Sequence, residues 1–141
     1  MGDLGGRYAA YASRLVAAVL ATPGDSSAEL RRAVAARAAR LGTISLPASP
    51  PDPLSRRERG NDVPAPLATY VDKVAQHAYK VTDEDIAALQ RSGHSDDALF
   101  EVTVAAALGA ALGRLERGLA ALSSPPDLLS ATRREGTVET R

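Results

Sequence analysis

The strongest constraint on this chain is the stretch from Asp96 to Leu122. Its middle, Val104-Ala105-Ala106-Ala107-Leu108-Gly109-Ala110-Ala111-Leu112-Gly113, is apolar on every side of a helix. Leu108, Leu112, Leu115, Leu119 and Leu122 step by 4, 3, 4 and 3, the spacing of an apolar helical stripe. A helix that is apolar all round must be enclosed by other elements. Gly109 and Gly113 each cost roughly 1 kcal/mol relative to alanine in a helix interior, so packing must offset them. Small residues four apart let a second backbone come close. This helix is expected at the centre of the fold, with two or more helices around it and a second subunit completing the cover.

The rest of the chain predicts the same class. There are 28 alanines, and aromatic residues make up only 4% of the sequence, which favours an all-α fold of about five helices. A first helix is expected from Tyr8 to Ala21, ended by Thr22-Pro23-Gly24. Ser26-Ser27-Ala28-Glu29 has the form of a capping box opening a second helix, which runs to Leu41 with Gly42 as its C′ residue. Its apolar stripe is Leu30, Val34, Ala38 and Leu41; Arg31, Arg32, Arg37 and Arg40 are expected on a solvated face. A third helix starts near Pro66 and carries Leu67, Tyr70, Val71, Val74, Ala75 and Ala78 through to Lys80. Thr82, with Asp85 three residues on, caps a short fourth helix that Ser92-Gly93 ends, and Ser95-Asp96-Asp97 caps the fifth. Residues 1–122 thus read as one helical domain. Within it, the proline-rich stretch 43–64 is either an arm that wraps a neighbouring subunit or a flexible strap. Residues 123–141 read as a polar, partly disordered tail.

Composition excludes several functions. Basic and acidic residues number 17 each, so net charge gives no reason to expect nucleic acid or an anionic membrane as partner. With no cysteine there is no disulfide, no thiol nucleophile and no thiolate metal site. His77 and His94 are the only histidines, too few for a three-histidine zinc site. Asp83, Glu84, Asp85, Asp96 and Asp97 fall at two helix starts, where acids favour the helix dipole, rather than in a calcium-loop spacing. No phosphate-cradling glycine loop is present. Neither a metal nor another cofactor is expected. The longest apolar run, Val102 to Gly113, stops at Arg114 well short of the roughly 20 residues of a membrane span. The chain is therefore expected to be soluble, cytoplasmic and unattached to a membrane.

The stretch Val81-Thr82-Asp83-Glu84-Asp85-Ile86 through Ser92-Gly93-His94-Ser95-Asp96-Asp97, followed by the alanine-rich helix ending Gly113-Arg114-Leu115, resembles the carboxymuconolactone decarboxylase and alkylhydroperoxidase-D-like superfamily. The likeness covers Tyr70 to Leu122 and is a packing signature rather than a catalytic one. It implies a helical bundle that assembles into oligomers, with itself or with a related catalytic chain. Redox members carry Cys-x-x-Cys and a histidine on one helix. If His77 matches that histidine, the cysteine positions fall on Tyr70 and Lys73; if not, the cysteine helix would lie in the proline-rich Leu46 to Asp62. Either way the dithiol is missing, and peroxide reduction through a thiolate is excluded.

Three functions follow as expectations. The first is a non-redox structural or regulatory subunit. The second is a cofactor-free decarboxylase or isomerase. In it His77 is the acid–base group, with Glu101 (or Asp72) as its partner, and Tyr70 and Arg114 bind a small carboxylate substrate. In the structural alternative, Arg114 reaches Glu101 as an ion pair or snorkels to solvent. The third is a small-molecule binding module lined by Tyr70, Val74, Phe100 and Leu108.

Overall fold

A computed structural model describes residues 8–41 and 63–123. Five α-helices occur in it, α1 (Ala9–Ala21), α2 (Ala28–Leu41), α3 (Ala65–His77), α4 (Asp83–Arg91) and α5 (Asp96–Ser123), with a 3-10 turn at Ala78–Lys80. No strand occurs among the described residues, so the fold is all-α. The arm expected over 43–64, apart from Val63 and Pro64, lies outside the described residues, as do Gly42 and the tail beyond Ser123.

Local chemistry sets most of the boundaries. Thr82 Oγ1 accepts from the Asp85 backbone N–H, while the Asp85 carboxylate accepts from the Thr82 N–H, a reciprocal capping box at the start of α4. Gly93, at φ +99°, takes the left-handed conformation that lets the chain leave α4. Ser95 Oγ accepts from the Ala98 N–H and caps α5. Two expectations are corrected. Ser27, not Ser26, caps α2: its Oγ accepts from the Leu30 N–H. The third helix stops at His77 and tightens into the 3-10 turn instead of continuing to Lys80.

The core lies where α2 and α3 pack on one side of α5. Val34 and Ala38 of α2, Leu67 and Val71 of α3, and Val102 and Ala105 of α5 are sealed from solvent. Each buried Leu or Val contributes about 1.5–3 kcal/mol. α2 and α5 run in the same direction: Gly109 faces the Ala35 backbone and Gly113 faces the Ala39 backbone, closely enough that a methyl group at either glycine would overlap a carbonyl. This is the close approach that the two glycines predict.

The enclosure of α5 is a different matter. Only 39% of its most apolar 18-residue window is buried. Phe100 is 69% exposed, Leu115 and Leu119 are 44% exposed, and Leu122 is 85% exposed. Leu115, Leu119 and Leu122 of the leucine stripe therefore lie on the outer side, Leu108 and Leu112 are half-buried, and the buried side carries Leu99 and Val102 with the small residues Ala98, Ala105, Ala106, Gly109, Ala110 and Gly113. By length and composition α5 also satisfies the requirement for a membrane span, as a core helix can, because glutamate and arginine are sparse along it. The first helix is held lightly. No residue of α1 is buried, and Val19 and Leu20 make its partial contact with the core.

Candidate functional site

The polar residues of α5 connect to the ends of other helices. Glu101 receives the backbone N–H of Asp25 (3.0 Å), the backbone N–H of Ser26 (2.8 Å) and the Ser26 hydroxyl (2.5 Å). It also receives Arg31 Nη1 at 2.8 Å. Arg31 is only 2% exposed and also donates to the Ser26 and Thr22 carbonyls. Glu101 thus ties the α1–α2 turn to α5 through a buried guanidinium. The Ser26 hydroxyl and N–H hold its carboxyl at about 2, against an opposing push from burial, with smaller help from the Asp25 N–H and Arg31.

Further along α5, Arg114 Nη2 donates to the Ala75 carbonyl at 2.6 Å, in the last turn of α3. Arg117 Nη2 donates to the Ala39 carbonyl at 3.1 Å, in the last turn of α2. Those carbonyls lack a helical partner, and a cation there also meets the negative end of the helix dipole. α5 therefore braces α2 at both ends, with Glu101 at its start and Arg117 at its finish, and caps α3 with Arg114.

The four residues singled out from sequence do not converge. Glu101 and Arg114 stand 13 residues apart on one continuous helix, about 20 Å along its axis, so the expected ion pair between them does not form. Tyr70 is buried, and its hydroxyl lies 2.7 Å from Thr103 Oγ1. Thr103 donates its own proton to the Leu99 carbonyl, which makes Tyr70 the donor. His77 is exposed at the end of α3, with its ring edge-on to Tyr79 at 6.0 Å. No hydrogen bond or ion pair joins any two of the four, and Asp72 pairs with Arg37 instead of His77. Arg31 is a correction to the solvated basic face. It shares a helix side with Val34, Ala35 and Ala38, all buried, and that spacing was visible in the sequence.

Lys73 of α3 grips both carboxylate oxygens of Asp85 at 2.6 and 2.7 Å. That contact, with the Thr82 N–H, holds the Asp85 carboxyl below its usual range. Among the described residues no three His, Asp or Glu side chains gather as a metal site.

A groove opens elsewhere, on the outer side of the α2–α5 seam. Its volume is about 360 Å³. Val16 and Leu20 of α1 form one wall, and Gly109 and Gly113 lie along its floor. The pocket expected around Tyr70 and Phe100 is not this one: Tyr70 is in the core and Phe100 points outward. Comparison of the chain with family models, curated proteins and solved structures finds no match.

Proposed function

We propose that this chain is a non-redox structural subunit, a cysteine-less protein of the alkylhydroperoxidase-D-like kind, that associates with a second copy of itself through α5. The observation that carries this reading is the outer face of α5, apolar and open from Phe100 to Leu122, about 33 Å long. An exposed apolar surface of that extent marks an interaction site. The resemblance supports the same reading: if His77 matches the family's histidine, the dithiol positions are Tyr70 and Lys73, and these are tied to Thr103 and Asp85.

The face is self-complementary. If two copies of α5 cross antiparallel with Ala111 on the two-fold axis, Phe100 meets Leu122, Val104 meets Gly118 and Ala107 meets Leu115 of the other copy. Small residues occupy the centre and large ones the ends, so the helices can approach closely without voids.

Sedimentation equilibrium tests this directly. The wild-type chain is expected to be dimeric at micromolar concentration. Leu115→Glu is expected to give a monomer, while Ala121→Glu, exposed but away from the face, leaves the dimer intact. Because the chain has no cysteine, Ala111→Cys gives a second readout: mild oxidation is expected to link two copies at the axis. A monomeric wild-type chain overturns the proposal. The acid–base alternative has its own test. His77→Ala is expected to change unfolding free energy by less than about 0.5 kcal/mol, because the side chain is exposed, so any loss of an activity in that variant reports chemistry rather than unfolding.

A further inference from the structure

The groove beside α1 has a polarity that the dimer face lacks. α2 and α5 run parallel, with Gly109 beside Ala35 and Gly113 beside Ala39. Arg32 lies three residues before Ala35 and Glu116 three residues after Gly113, so the two line opposite ends of the groove. Arg32 is level with residue 106 of α5, ten residues short of Glu116, which separates the two levels by about 15 Å. Between them the walls are alanine, valine and leucine side chains over a glycine floor.

The two charged ends stand apart from the other ion pairs. Arg31 and Arg37 on α2 both hold carboxylates, and Arg114 and Arg117 on α5 hold carbonyls. Arg32 and Glu116 make no hydrogen bond or ion pair among the described residues, with each other or with any other group. An apolar channel with a free cation at one end suits a molecule with one anionic head and an apolar tail, and Glu116 at the other end excludes a second negative charge there. The volume falls within the range of small-molecule sites. The wall formed by α1 has no buried residue and is the element least tied to the core, which gives such a molecule a way in.

We propose that this groove binds a medium-chain aliphatic carboxylate, with its head on Arg32 and its chain lying over Gly109 and Gly113 toward Glu116. The site is separate from the outer face of α5, and the inference does not depend on self-association. Binding covers the apolar side of α1 that the fold leaves half open, and so docks α1 more firmly.

Calorimetric titration of the full chain with decanoate tests it. Wild-type protein is expected to bind one decanoate per chain. Arg32→Gln, which removes the charge-assisted bond, is expected to weaken binding about tenfold or more. Ala36→Phe, which fills the groove, is expected to abolish it. Decanedioate is expected to bind at least tenfold more weakly than decanoate, because its second carboxylate meets Glu116. Both substituted residues are exposed, so the variants are expected to keep wild-type helix content by circular dichroism. Absence of decanoate binding by the wild-type chain overturns the proposal, as does equal affinity in both variants. If Ala36→Phe instead dissociates an oligomer while decanoate has no effect on the wild type, a second copy occupies the groove and the proposal also fails. Loss of the dimer in Leu115→Glu with decanoate binding retained would leave this inference standing.

Discussion

Glu101→Ala is expected to lower the unfolding free energy by about 3 kcal/mol, the usual result of removing one partner of a buried ion pair. The variant leaves Arg31, 2% exposed, with an uncompensated charge in the core. It also orphans the Asp25 and Ser26 N–H groups in the turn that brings α1 onto α2. Urea denaturation followed by circular dichroism measures the loss. A loss below about 1 kcal/mol would show that water replaces the carboxylate and that Arg31 reaches solvent. The pH dependence has a definite sign. A carboxyl held at about 2 in the fold, against an ordinary value near 4.5, favours the folded state whenever it is ionised. That contribution is complete above about pH 4.5 and is lost as pH falls toward 2. Glu101→Gln removes it, so the wild-type and Gln stability curves are expected to be well apart at neutral pH and to converge in acid. Asp85, also held low, moves both curves together and leaves the difference between them intact.

How much of this arrangement could be read from the residues depends on which interaction produced it. Helices α4 and α5 were legible because their caps are local: Thr82 with Asp85, and Ser95 with Ala98, act within one turn. The close approach at Gly109 and Gly113 was legible because a glycine pair in an apolar helix has few other uses. The partner helix and its direction were not legible, and the roles of Glu101, Arg114 and Arg117 follow from that direction. Sixteen residues separate Glu101 from Arg117, and α2 holds 14, so a parallel α2 ends where Arg117 reaches it. Without that register, Glu101 and Arg114 look like a polar set available for chemistry. Within one chain α5 is covered on one side only. Apolarity on all sides predicts cover, but it does not say whether the cover comes from the same chain. Leu115, Leu119 and Leu122 lie outside, while the approach to α2 at Gly109 and Gly113 leaves no room for a side chain.

That seam yields the second large effect. In an ordinary helix, replacing glycine with alanine stabilises by about 1 kcal/mol. Gly109→Ala is expected to do the opposite and destabilise by about 2–3 kcal/mol, because its new methyl would overlap the Ala35 carbonyl and force α2 away from α5. Gly113→Ala meets the Ala39 carbonyl and is expected to behave alike, with the added strain of shifting the carbonyl that Arg117 caps. Gly118 is the internal control. Nothing lies within 4 Å of the position its Cβ would take, so Gly118→Ala is expected to stabilise the monomer by about 1 kcal/mol. The three variants sit on one helix within ten residues, so helix propensity is the same for all and packing alone separates them. Thermal and urea unfolding of the set, made in the Leu115→Glu background, reads the difference without interference from the outer face. A uniform stabilisation across all three would mean that α2 slides to accept a methyl, and the parallel register on which Glu101, Arg117 and the groove all depend would be looser than the packing of Ala35 and Ala39 indicates.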